Sequence, residues 1–262
     1  KPESATTPGS HNSSQAYVAG NVESVSLYSS VLNATIGFDI YLPPGYSSSE
    51  TYPVLYSLYG YGGDQHSMLG GFMSLNRVAD ELIASGKIKP LIIVSPDYKN
   101  SFGVNSSPEQ GTTTSGGTIG RYRDYLVVEL IPYIDLHYAS IKNRDGRFVE
   151  GYSMGGFAAL HLAFLHPDLF SKAAAHSAAL WDYSATDLFT GQRDWLYPTP
   201  SLRAERDPFL LAKSRELTRL YVYLDVGLSD ALYGVDDRFY RLLLQAGVSA
   251  EWHTGNGGHN AT

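Results

Sequence analysis

From Val22 onward the chain carries short apolar runs, and what separates them changes once. Residues 22–28 and 34–42 are strand-like and joined by the short Ser-Ser-Val-Leu-Asn connection, which predicts an antiparallel hairpin. After Pro43-Pro44-Gly45, apolar runs at 54–59, 91–95, 147–151, 172–176, 220–225 and 249–253 alternate with longer helical patterns. That alternation is the mark of βαβ units, so the eight runs predict a mostly parallel eight-stranded sheet with helices on both faces. Helical periodicity is clearest over 72–85, 122–137, 155–165 and 231–246, with Pro132 inside the second and expected to kink it.

Two connections, 99–120 and 178–218, are long for a domain of this kind, and such segments usually carry function. Residues 1–20 open with a Ser/Thr/Pro/Gly/Asn-rich stretch that cannot bury enough apolar surface to order itself, so they read as a tail or linker before one domain over 21–262. The polar start without Met suggests a chain made for export, and a secreted or extracytoplasmic location is expected. Nineteen basic against 26 acidic residues, with no basic cluster, argue against nucleic acid. No run approaches the roughly 18 apolar residues of a membrane span. The chain has no cysteine, which excludes disulfides, thiolate metal sites and a cysteine nucleophile.

The chemistry enters at Gly151-Tyr152-Ser153-Met154-Gly155, a G-x-S-x-G motif between an apolar strand run and a helical run. Strand, tight turn and helix are the context in which an apical serine is lifted above the sheet; a plain glycine turn would not need a serine there. A serine hydroxyl needs a base, and the base an orienting carboxylate, in the chain order Ser, acid, His. Of eight histidines only His253 and His259 lie beyond the seventh strand. His259 follows Gly257-Gly258 in a loop at the sheet edge, whereas His253 falls inside a strand, so His259 is the better placed. The acid is Asp230 or Asp225; Asp230 lies beyond the glycine turn and can reach the histidine loop, while Asp225 ends the strand and can brace the turn. The oxyanion donors expected are the backbone N–H groups of Met154 and of Tyr61, in Tyr59-Gly60-Tyr61-Gly62-Gly63.

The chain resembles the esterase D family of α/β-hydrolases, which includes feruloyl and other carbohydrate esterases, S-formylglutathione hydrolases and mycolyltransferases. The resemblance rests on Tyr41 to Tyr46, Tyr52 to Tyr56, Leu58 to Gly63, Glu129 to Ile134, Gly151 to Gly156, His166 to Phe170 and Gly257-Gly258-His259. It implies the α/β-hydrolase fold, a triad at Ser153, Asp230 and His259, and an oxyanion hole at Tyr61 and Met154. The family often has His-Gly where this chain has Tyr59-Gly60, and an aromatic continuation where Asn260-Ala261-Thr262 follows the histidine.

Twenty tyrosines and several loop aromatics point to a cleft that holds rings: Tyr59, Tyr98, Trp181, Tyr183, Trp195 and Tyr197 are the candidates for substrate contact. With export and the resemblance, they suggest feruloyl or acetyl esters of plant cell-wall polysaccharide. A broad short-chain carboxylesterase, an acyltransferase and a glycan-binding protein without chemistry are the other readings. No cofactor or metal is expected.

Overall fold

The computed structural model describes residues 18–110, 117–181 and 191–260. The strands are β1 Asn21–Ser29, β2 Ala34–Leu42, β3 Val54–Leu58, β4 Ile92–Pro96, β5 Arg147–Tyr152, β6 Lys172–His176, β7 Tyr221–Gly227 and β8 Ser249–Gly255. They form one sheet in the order β1-β2-β4-β3-β5-β6-β7-β8. β1 and β2 are the expected hairpin, with Asn33 in the left-handed region (φ 51°) that asparagine tolerates. β2 runs antiparallel to β4, and all later pairings are parallel. Parallel neighbours align their C-terminal ends, and in such sheets that edge is where ligands bind.

Strand alternation divides the core. Ile92 and Val94 join a large cluster with Val54 and Tyr56, while Ile93 turns to the other face to meet Tyr41, Leu69 and Ala79. Ala79 belongs to α1 (Leu75–Ala84), whose buried side lies on that second face. α4 (Met154–Leu165) is buried nearly throughout against β5 and β6, and α8 (Tyr233–Gln245) covers β7 and β8.

Two departures from the sequence pattern have physical causes. The single helix expected over 122–137 is three pieces: α2 (Tyr122–Asp124), a π-helical stretch Tyr125–Leu130, and α3 (Ile131–His137). Pro132 has no N–H for the carbonyl four residues back and its ring needs space, which a wider turn supplies. The connection 178–218 is not a plain loop, since it holds α5 (Gln192–Leu196), α6 (Pro200–Arg206) and α7 (Pro208–Ser214). Thr199 and Asp207 cap the last two through the N–H groups of Leu202 (3.2 Å) and Phe209 (2.9 Å), each with proline at the first helical position. Buried Arg206 donates to the carbonyls of Leu196 (2.9 Å) and Asn105, which ties this segment to the other long connection.

Candidate active site

β5 ends at Tyr152 and α4 starts at Met154, leaving Ser153 at φ 57°, ψ −113°. A non-glycine residue held there costs about 1–3 kcal/mol, so the surroundings must fix it. They do so through the backbone. The Ser153 N–H donates to the His176 carbonyl (2.9 Å), and the Ser153 carbonyl accepts from Phe157 (3.1 Å) and Ala179 (2.9 Å). The motif glycines are there for space: a Cβ on Gly155 would lie 1.9 Å from the Leu58 carbonyl oxygen, and one on Gly151 would lie 2.2 Å from the backbone of Gly155.

The candidate acid and base come from the turns after β7 and β8. Asp230 follows the Gly227 turn; its N–H donates to the Gly227 carbonyl (3.0 Å), and Oδ1 accepts the Leu232 N–H (2.9 Å). Its side chain is fully buried, with Oδ2 at 2.9 Å from Nδ1 of His259. Nε2 of His259 is 2.9 Å from Oγ of Ser153. The two turns are joined backbone to backbone by Leu228 N–H to Gly255 (2.9 Å) and Ser229 N–H to Gly257 (2.8 Å). A Cβ on Gly227 would come within 2.4 Å of the Gly257 carbonyl oxygen. Carboxylate, imidazole and hydroxyl thus form one chain, with Nδ1 held by the acid and Nε2 facing the nucleophile, as base-assisted acyl transfer requires.

The alternatives weighed from sequence lie elsewhere. Asp225 accepts from Nδ1 of His176 (2.8 Å), and Nε2 of His176 pairs with Glu150 (3.0 Å). His253 pairs with Glu251 (3.2 Å) and stacks on Tyr223 at 4.9 Å.

The segment Tyr59 to Gly63 leaves the C-terminal end of β3 beside the nucleophile; a Cβ on Gly60 would lie 3.5 Å from that of Ser153. Met154 opens α4, in the turn whose N–H groups lack intrahelical acceptors. Met154 adjoins Ser153 in the chain, and the Tyr61 N–H belongs to the peptide that follows Gly60.

The loop aromatics are corrected by their burial. Tyr59, Tyr98, Trp181 and Trp195 are at most 4% exposed, and Tyr197 is buried as well; none of them lines the cleft beside the triad. Their partners are internal: Trp195 and Trp181 pack on Phe102, and the Tyr59 hydroxyl donates to Asp97 (2.7 Å). Tyr183 lies outside the described residues. The aromatics that do approach the triad, Tyr152 and Phe72, were not singled out from sequence as substrate contacts. Tyr152 lies against the His259 ring (5.0 Å), Phe72 against Tyr152 (5.6 Å), and both Phe72 and Tyr61 are exposed, at 57% and 43%. Tyr152 carried a signal, since it is the residue before the serine in the motif; Phe72 carried none. A cleft of about 350 Å³ opens beside them, lined in part by Met73, Tyr152, Asp225 and Gly258.

The sheet order, the strained serine and the Asp–His–Ser chain define an α/β-hydrolase with a nucleophile elbow. The chain belongs to the esterase family whose model, described as "Putative esterase", matches residues 29–259. Esterase Rv1288 of Mycobacterium tuberculosis is 34% identical over 142 residues, 54% of this chain and 28% of the relative. The endo-1,4-beta-xylanase/feruloyl esterase of Xylanibacter ruminicola is 31% identical over 157 residues, 58% of this chain and 20% of the relative. The chain thus spans under a third of the length of these relatives. A solved ferulic acid esterase superposes with a TM-score of 0.76 at 25% identity, covering 93% of this chain and 92% of the other.

Proposed function

We propose that this protein is a serine carboxylic-ester hydrolase that works through an acyl-enzyme. His259 takes the Ser153 proton as Oγ attacks the ester carbonyl, and Asp230 stabilises the imidazolium that forms. The N–H groups of Met154 and Tyr61 receive the oxyanion. The tetrahedral intermediate collapses, His259 protonates the leaving alkoxide, and water, deprotonated by the same ring, releases the acid and restores Ser153. The observation that carries this reading is the position of His259, at 2.9 Å from both Ser153 Oγ and Asp230 Oδ2.

For the substrate we favour feruloyl or acetyl esters of plant cell-wall polysaccharide, met outside the cytoplasm. The names of the feruloyl esterase relatives and the exposed ring of Phe72, packed on the Tyr152 ring that lies against His259, support it, since aromatic faces suit cinnamoyl groups and sugars. The test is initial rates of wild type and Ser153→Ala on p-nitrophenyl acetate and methyl ferulate at neutral pH. Turnover by wild type, with a loss of about 10⁵-fold or more in the variant, is expected. A higher kcat/KM on methyl ferulate supports the cinnamoyl reading, and a rate confined to the acetate favours a short-chain esterase. Equal inertness of two folded proteins contradicts the hydrolase reading.

A further inference from the structure

Two of the buried tyrosines, Tyr59 and Tyr98, do something more specific than fill the core. Three successive peptide groups around the Tyr61 N–H each take part in a hydrogen bond. The Tyr59 carbonyl, in the Tyr59–Gly60 peptide, accepts the Tyr98 hydroxyl. The Gly60 carbonyl, in the peptide that carries the Tyr61 N–H, accepts from Gly63 (3.0 Å). In the next peptide, the Gly62 N–H donates to Oδ1 of Asn100 (2.8 Å). Because a trans peptide points its N–H opposite to its carbonyl, fixing the Gly60 carbonyl fixes the direction of the Tyr61 N–H.

The outer two holds come from one short segment after β4, and that segment is itself braced. The Tyr59 hydroxyl donates to Asp97 (2.7 Å) and accepts the Tyr98 N–H (3.0 Å), while Lys99 pairs with Asp97 (2.5 Å). Asn100 is tied by its own backbone to Thr118, through the Thr118 N–H (2.9 Å). Lys99 and Phe102 both adopt positive φ, 52° and 56°, so the backbone is strained on either side of Asn100. Burial pushes the Tyr98 phenol well above its usual range, which keeps the hydroxyl a donor.

We propose that Tyr98 and Asn100 are positioning residues for the oxyanion hole, holding the 59–63 segment so that the Tyr61 N–H is aimed before substrate arrives. The proposal rests on the esterase reading above. Preset donors act only on the charge that develops in the transition state, so their misalignment lowers kcat and leaves KM nearly unchanged.

The test compares wild type with Tyr98→Phe, Asn100→Leu and Asn100→Asp on p-nitrophenyl acetate, with inhibition by an aryl trifluoromethyl ketone as an oxyanion mimic. Tyr98→Phe and Asn100→Leu are expected to lower kcat about 10- to 100-fold with KM within about threefold, and to weaken the ketone by a similar factor. Asn100→Asp keeps an acceptor for the Gly62 N–H but adds an anion near the hole, so its kcat should fall between those of wild type and Asn100→Leu. Should Tyr98→Phe fail to fold, the half-buried Asn100 pair decides alone. Unchanged kcat and ketone affinity in folded Asn100→Leu overturn the proposal while leaving the esterase reading intact. A wild type no faster than Ser153→Ala overturns both.

Discussion

His176 and His259 both bond to Ser153 at the same edge of the sheet, one through its carbonyl and one through its ring, and each engages both ring nitrogens, but with different partners. His259 has a carboxylate on Nδ1 and a hydroxyl on Nε2; His176 has a carboxylate on each, Asp225 and Glu150. Burial by itself would favour a neutral His176 ring, but the hydrogen bonds and charges of the two carboxylates outweigh it and push its pKa up to about 10. His176 is therefore an imidazolium throughout the neutral range, with no lone pair to accept a proton. On the proposed mechanism, what makes one of two similar histidines a base is the chemistry of its second partner, a proton donor rather than a second anion. The charged one has a mechanical task instead. Its ring links β5 to β7, and its carbonyl holds the Ser153 N–H.

Substitutions should separate these roles. The largest effect is expected for His259→Gln, a fall of about 10⁴- to 10⁶-fold in kcat with little change in Tm, measured on p-nitrophenyl acetate with a thermal melt alongside. Asp230→Asn should lose about 10⁴-fold, because the amide no longer fixes the imidazole tautomer, whereas Asp225→Asn should lose less than about tenfold. If the two aspartates exchange these values, the acid has been assigned to the wrong turn. His176→Gln should retain kcat within about tenfold and lose about 2 kcal/mol of stability in urea unfolding. That is below the range for a fully buried pair because Asp225 is a third exposed.

The smallest effect is in pH. A histidine whose folded pKa lies above its unfolded value of about 6.5 contributes stability that is complete below that pH and is lost as pH rises through the folded value. The stability gap between wild type and His176→Gln should therefore shrink between about pH 7 and pH 10. A gap that stays constant to pH 10 would mean that His176 is not held as a cation.

The same contrast shows what could be read from the sequence. The hydrogen-bonded arrangement of Ser153, His259 and Asp230 was legible because the motif fixes a strand–turn–helix and the remaining positions follow from chain order. The Glu150–His176–Asp225 network was not, since it depends on register: Tyr152, His176 and Asp225 are cross-strand neighbours, which puts the His176 ring between residues 26 positions before it and 49 after it. The strands were legible through their alternation. The helices after Thr199 and Asp207 were too short to show a period, although their cap-and-proline pairs were visible. The loop aromatics misled because position in a connection says where the chain runs, while burial depends on what packs against it, here Phe102 and the hydrogen-bonded brace of Tyr59.

The central claim, that His259 and not its neighbour activates Ser153, is tested most directly by the rate of covalent labelling with a fluorophosphonate, read by intact mass and peptide mapping. The account predicts a single adduct on Ser153 in wild type and in His176→Gln, at rates within about tenfold, and labelling at least about 10³-fold slower in His259→Gln. An adduct on another residue, or a His259→Gln variant that labels as fast as wild type, would contradict it.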